Sequence, residues 1–281
     1  MKYIYYPGCS LEGTALEYNV STQAVMQVLG SELVELDDWT CCGASAAEAT
    51  SYLLSIVLAA RNLALGERMD VSGDFLIPCS ACYLNLARVG EHVKQDPGLL
   101  HKINQVLSEE GLSYNRGARV RHFLDVVAND FDRETVQTLV KRKLSGLRVA
   151  PYYGCQALRP YGTYDDSEQP RSMEPVIEAL EAEVHPWTMG ARCCGAALMS
   201  TKRDVALEHV GAILAAARGA DCIVTICPMC QINLEGYQTK VSILYFPQLM
   251  GLAFGLSEEK LRLNLNLALT DSLRAKLETG E

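Results

Sequence analysis

Ten of the eleven cysteines in this 281-residue chain fall into two matching sets of five: Cys9, Cys41, Cys42, Cys79 and Cys82, then Cys155, Cys193, Cys194, Cys227 and Cys230. Each set combines a Gly-Cys, a Cys-Cys-Gly-Ala and a Cys-x-x-Cys. A lone Cys-x-x-Cys is ambiguous among a zinc knuckle, a redox dithiol and part of an iron–sulfur site. Here it comes with the other two motifs at matched separations, 31 and 36 residues in the first set and 37 and 32 in the second. Zinc closes a tetrahedron with four ligands, and a cubane cluster takes four cysteines, so five sulfurs are one too many for either. Adjacent cysteines also point in different directions and suit two irons better than one zinc. The ligand count points to an iron–sulfur cluster of unusual type, with one sulfur bridging irons. Single cysteines are common as small apolar core residues, but ten in a duplicated register are not explained that way. Cys222 has no counterpart in the other half and reads as a core thiol.

The chain is a duplication. The three motifs recur after 146, 152 and 148 residues, and Asn85-Leu86 and His122-Phe123 are answered by Asn233-Leu234 and Tyr245-Phe246. The natural division lies near Gly146. It gives an N-terminal domain over 1–146, with an insertion near 93–117, and a C-terminal domain over 147–281.

Each motif follows an expected strand. Lys2–Tyr6, Leu33–Leu36 and Phe75–Ile77 precede the first set; Arg148–Tyr153, Glu183–His185 and Cys222–Ile226 precede the second. Helices are expected between them, over Thr14–Leu29 and Ala46–Leu65. Ser45 with Glu48 has capping-box spacing, and so has Thr201 with Asp204. Strands alternating with helices imply a parallel α/β fold, here two pseudo-symmetric Rossmann-like domains with short sheets. Ligands of such sheets lie beyond the carboxyl ends of the strands, where all ten cysteines fall. A helix starting after Ser45 is expected to aim its free N–H groups at an anionic cluster.

The formal net charge of −9 excludes a nucleic-acid partner. The run Lys141-Arg142-Lys143 reads as a solvated helix face. No stretch has the length of a transmembrane segment, and Met1-Lys2 leads straight into a strand without a signal sequence. So many cysteines then indicate metal or redox chemistry in a reducing, cytoplasmic setting rather than disulfides.

The pattern from Tyr5-Tyr6-Pro7-Gly8-Cys9 to about Phe254 resembles the cysteine-rich CCG domain, present twice in the catalytic B-type subunit of heterodisulfide reductase. The resemblance implies two non-cubane [4Fe-4S] clusters, one held by each five-cysteine set. It also implies cleavage of a disulfide, such as that of coenzyme M and coenzyme B, with each cluster supplying one electron. A ferredoxin-like C-type subunit and an A-type flavoprotein are the implied partners. Related modules also serve as electron-transfer iron–sulfur subunits of larger anaerobic oxidoreductase complexes that cleave no disulfide. Anionic substrate groups would need cations, for which Arg61, Arg88, Arg159, Arg171, Arg192 and Lys202 are the candidates. Protons would come from His122, His185 or a tyrosine, although a lone histidine in either place is as a rule structural.

Overall fold

The computed structural model describes residues 1–117, 119–237 and 240–279. Short aromatic and β-branched runs make two four-stranded parallel sheets. In the first, β1 (Lys2–Tyr5), β2 (Glu32–Glu35), β3 (Phe75–Ile77) and β4 (Val120–His122) lie in the order β2-β1-β3-β4. In the second, β5 (Arg148–Tyr152), β6 (Glu183–Val184), β7 (Cys222–Thr225) and β8 (Ser242–Tyr245) repeat it as β6-β5-β7-β8. Four strands per sheet replace the three expected. The extra ones, β4 and β8, are short and run directly into helices at His122-Phe123 and Tyr245-Phe246, so little periodicity marks them in the sequence. The fold is a duplicated, Rossmann-like α/β arrangement with cysteines near the strand ends.

Helices connect the strands. The first half holds α1 (Cys9–Glu12), α2 (Leu16–Val28), α3 (Ala46–Thr50), α4 (Tyr52–Arg68), α5 (Ser80–Gln95), α6 (Pro97–Leu107), α7 (Phe123–Asp130) and α8 (Arg133–Thr138). The second holds α9 (Glu174–Ala179), α10 (Arg203–Ala216), α11 (Pro228–Glu235), α12 (Phe246–Ala253) and α13 (Asp271–Thr279). The stretch 93–117 contains the end of α5 and the whole of α6. Asp96 caps α6 by accepting from the Gly98 N–H at 2.9 Å, and Leu99, Ile103 and Leu107 bury its inner face.

Two helix expectations need correction. The run from Ala46 is two helices, α3 and α4, broken at Ser51, whose side chain caps α4 by accepting from the Leu54 N–H at 3.4 Å. Neither Ser45 nor Thr201 forms a capping box: Ser45 makes no side-chain cap, and Lys202 occupies the N-cap of α10 without one. Extended backbone at Ser51 supplies the better N-cap geometry.

The halves share a core. One cluster of buried apolar side chains takes Tyr5, Val25 and Phe123 from the first half and Val149, Leu244, Phe246 and Leu249 from the second. Helices α2 and α12 pack together, and the Phe123 and Phe246 rings meet edge-on at 6.4 Å. Cys222, fully buried in β7, belongs to this core.

Candidate metal centre

The strand order reverses between β1 and β3, and between β5 and β7. In open α/β sheets that switch point is where the connections part and leave a crevice. Cys9 follows β1 and Cys79 follows β3; Cys155 and Cys227 follow β5 and β7. The Cys-Cys-Gly segments after β2 and β6 must be drawn in from the neighbouring strand. A tyrosine and an asparagine do this in each half. The Tyr6 hydroxyl donates to the Thr40 carbonyl, immediately before Cys41, at 2.8 Å. Asn85 Nδ2 donates to the Cys42 and Ala44 carbonyls at 3.2 and 3.0 Å. In the second half Tyr152 donates to the Arg192 carbonyl at 2.6 Å, and Asn233 to the Cys194 carbonyl at 2.7 Å. The repeat of Asn85-Leu86 as Asn233-Leu234 is the sequence signal for the asparagines, although spacing alone does not show what they do.

Each set of five converges. Cys9 Sγ lies 3.6 Å from Cys41 Sγ and Cys42 Sγ 3.4 Å from Cys82 Sγ; in the second set Cys194 Sγ lies 3.5 Å from Cys230 Sγ. Cys79 and Cys227 are the N-caps of α5 and α11, so these thiols meet the positive ends of helices. The Cys-Cys-Gly segments bring their own donors. The Gly43 and Ala44 N–H groups approach Cys41 and Cys42 Sγ at 3.4 and 3.5 Å, and the Gly195 N–H approaches Cys193 Sγ at 3.3 Å. These loop amides do what was expected of a helix after Ser45.

Protons are shared unequally within each set. Hydrogen bonding from Cys41 is the main reason the Cys42 thiol falls to about 3, and hydrogen bonding from Cys155 draws Cys193 down to about 5. Their partners Cys41 and Cys155 are pushed up, chiefly by the same hydrogen bonds. Among the described residues no group of three or more His, Cys, Asp or Glu side chains is arranged to hold a single metal ion. The sulfurs form sulfur-rich surfaces with backbone N–H donors beside them. This donor chemistry fits an iron–sulfur group, whose sulfurs accept hydrogen bonds and whose charge suits helix N-termini.

The halves meet beside the two sets. The Tyr18 hydroxyl donates to both the Pro78 carbonyl at 2.9 Å and the Ile226 carbonyl at 3.0 Å, the residues before Cys79 and Cys227. Ser80 Oγ crosses from the first half to the Ile226 carbonyl at 3.1 Å. A cavity of about 70 Å³ lies at this junction. Ala44, Ser45, Ser80 and Ala81 line it from the first half; Cys155, Cys193, Cys194, Cys227 and Cys230 line it from the second.

Residues 3–87 and 149–235 match the family model of the cysteine-rich domain (CCG), once per half. The B-type subunit of a ferredoxin/F(420)H(2)-dependent CoB-CoM heterodisulfide reductase from Methanosarcina acetivorans is 29% identical over 97% of this chain and 95% of its own length. The chain belongs to the HdrB-like family, named for that heterodisulfide reductase component. Another protein described as like this component, from Archaeoglobus profundus, is 29% identical over 92% of this chain and 93% of its own. The "8-methylmenaquinol:fumarate reductase membrane anchor subunit" of Wolinella succinogenes is 36% identical over 95% of this chain and 96% of its own. A crystal structure of a hypothetical protein from Helicobacter pylori shares the fold, with a TM-score of 0.76 at 13% identity. The likeness covers 96% of this chain, which spans about half of that structure (52%).

The candidate cations of this HdrB-like chain do not line the junction cavity. Arg61 pairs with Asp38 and Glu110 at 2.6 and 2.7 Å, and Arg88 with Glu48 at 2.8 Å. Arg159 and Arg192 line an outward groove with Cys193 and His209, Arg171 lies farther along the surface, and Lys202 sits at the start of α10. His185 packs beside Arg148 and Ala216, away from the cavity. His122 is buried one residue behind it: Nδ1 accepts from the Leu124 N–H at 3.1 Å, leaving Nε2 to face Ser80 Oγ at 3.3 Å. Among the described residues no helix is long and apolar enough to cross a membrane.

Proposed function

We propose that the chain is the disulfide-reducing iron–sulfur component of a multisubunit oxidoreductase. Cys9, Cys41, Cys42, Cys79 and Cys82 hold one non-cubane [4Fe-4S] cluster, and Cys155, Cys193, Cys194, Cys227 and Cys230 the other. A ferredoxin-like C-type subunit and an A-type flavoprotein deliver the electrons. The supporting observation is the junction of the halves: Tyr18 ties together the residues before Cys79 and Cys227, and the second set opens on a cavity walled by Ala44, Ser45, Ser80 and Ala81 of the first half. Reducing a disulfide takes two electrons, and bound clusters would supply one each, with iron as the Lewis acid toward sulfur. The protein's own work is to hold ten sulfurs, supply N–H donors to them, and line the junction with apolar surface from Ala44, Ala81, Tyr153 and Met229.

A second reading is favoured by the lining of that cavity. The coenzyme M–coenzyme B disulfide carries a sulfonate, a phosphate and carboxylates, yet among the described residues no Arg or Lys lines the cavity. Burying such charges unpaired is costly. The lining suits a disulfide without those groups. It also suits an electron-transfer component of a larger oxidoreductase complex that cleaves no disulfide, and the Wolinella relative is named as a subunit of an 8-methylmenaquinol:fumarate reductase.

The test is on protein purified and reconstituted without oxygen. About eight irons and matching sulfide per chain are expected, with a paramagnetic signal appearing when a thiol is added to the oxidised protein. Zinc without sulfide refutes the cluster assignment. A protein that answers no thiol, charged or neutral, but is reduced by a menaquinol analogue belongs to the second reading.

A further inference from the structure

Two carboxyl groups are buried where the halves meet. Glu17, at the start of α2, is 5% exposed, and Glu235, at the end of α11, is 7% exposed. Burial raises both carboxyls, and for Glu235 it brings the pKa to about 7. The Leu267 N–H and the side chains of Gln231 and Asn266 pull Glu235 back only in part, while the charge of Glu17 adds to the rise. Tyr245 ends β8 opposite Thr225, two residues before Cys227. Its ring stacks on Tyr18 at 4.2 Å, and the groups acting on its phenol are Glu17 and Tyr18 from α2, Glu235 from α11, and Cys227. The patch is also short of partners. Tyr245 Oη, Glu235 Oε1, Gln231 Oε1, Thr22 Oγ1 and Thr225 Oγ1 are all buried without a hydrogen bond. Unpaired polar atoms are rare in protein interiors, and so many in one place call for a functional or water-mediated explanation.

We propose that Glu17, Glu235 and Tyr245 form a buried proton route serving the cavity beside Cys227. It rests on the reading that proton-consuming chemistry occurs there. Reduction of a disulfide breaks one S–S bond and consumes two electrons, delivered by the partner iron–sulfur protein, and two protons. The Glu235 carboxyl gives up its proton toward Tyr245 through water, since no direct hydrogen bond joins them, and the Tyr245 hydroxyl passes one on by the same means to a product thiolate; the carboxylate is reprotonated from solvent and a second passage supplies the second proton. Oxidation of a quinol would run the same route outward. A protein that only relays electrons has no use for it. Adding electrons near a carboxyl raises its proton affinity, so reduction and proton uptake are linked.

Measurements on the full chain test the route. In the metal-free protein, infrared spectroscopy is expected to show a carboxylic-acid band that disappears near neutral pH and is missing in Glu235→Gln; Glu17→Gln shifts it. In the cluster-loaded protein, reduction potentials followed by paramagnetic resonance are expected to fall as pH rises between about 6 and 8. Glu235→Gln abolishes that slope at unchanged iron content, whereas Tyr245→Phe, which removes a relay and not the titrating carboxyl, keeps the slope and slows turnover of a small neutral disulfide several-fold. Wild-type potentials independent of pH, a slope that survives Glu235→Gln, wild-type turnover in Tyr245→Phe, or no neutral-pH carboxyl overturn the route. Low iron in the wild type counts against the cluster assignment instead, and the infrared measurement then decides the route alone.

Discussion

The two Gly-Cys motifs allow a quantitative comparison inside one molecule. Gly8 has φ 74° and ψ 163°, a region that only glycine occupies without strain. An alanine there would cost roughly 1–3 kcal/mol in the backbone. Its Cβ would also fall 2.7 Å from Cys82 Sγ, and Cys82 is buried with Cys42 against it. Overpacking of that kind costs about 1–3 kcal/mol more. Gly8→Ala is therefore expected to lose roughly 2–6 kcal/mol of a total near 5–15 kcal/mol. Gly154 carries the same positive φ, 71°, but a Cβ there would lie 3.1 Å from Cys230 Sγ, which a small shift relieves. Gly154→Ala should lose about 1–3 kcal/mol, mainly from the backbone. Urea midpoints of the two metal-free variants measure the difference, and iron per chain after reconstitution reports the site. Gly8→Ala should lose iron from the first set while Gly154→Ala keeps most of its iron. Equal midpoints, or wild-type stability and iron in Gly8→Ala, would refute the packing argument.

Cys194→Ser should lose the second cluster and keep the first, so that iron falls to about half; full iron content would show that Cys194 is not a ligand. His122 gives a pH test. Burial holds its imidazole down at about 4, so only the unfolded chain takes up this proton near 6.5. The associated stability is present above about pH 6.5 and is lost toward pH 4, by roughly 3 kcal/mol at the limit. A urea-midpoint series should fall across that window more steeply for the wild type than for His122→Gln, and parallel curves would show that His122 does not carry the proton. Glu235→Gln should have the opposite signature. A carboxyl raised to about 7 costs stability as it ionises between about 4.5 and 7, so the variant should gain on the wild type as pH rises through that range, and a constant difference between their midpoints would argue against a buried titrating carboxyl.

The sequence made the cysteines, their duplication and the placement after parallel strands legible because these rest on spacing and alternation. Strands β4 and β8 were missed as strands because three or four residues passing straight into a helix carry no period. The break at Ser51 was missed because Ala- and Leu-rich sequence on both sides satisfies helix propensity; the Ser51 cap and extended backbone decide it. The ties that gather the motifs were invisible for another reason. Tyr6, Tyr152, Asn85 and Asn233 act through carbonyl oxygens of distant residues, and no local pattern encodes which carbonyl a side chain will meet. The relation between the two sets depends on α2 packing against α12, a contact across most of the chain.

The copies have diverged where they face each other, and the divergence has a direction. The first half presents Ser80 inside its Cys-x-x-Cys, and the second presents Pro228 at the equivalent place. Ser80 Oγ reaches the carbonyl before Cys227, whereas proline has no hydroxyl with which to return the contact. Behind these positions His122 closes β4 and Tyr245 closes β8. His122 is engaged through Leu124 and Ser80, while the Tyr245 hydroxyl is left unpaired beside two buried carboxyl groups. Selection for ten ligands alone would have left the inner walls alike or free to drift apart without pattern. Instead the first half supplies fixed hydrogen bonds to the second site, and the second half supplies Tyr245 and Glu235, with Glu17 joining them from the first. An asymmetric junction of this kind suits the two-electron chemistry proposed above, because the proton-bearing patch borders Cys227 and not the first set.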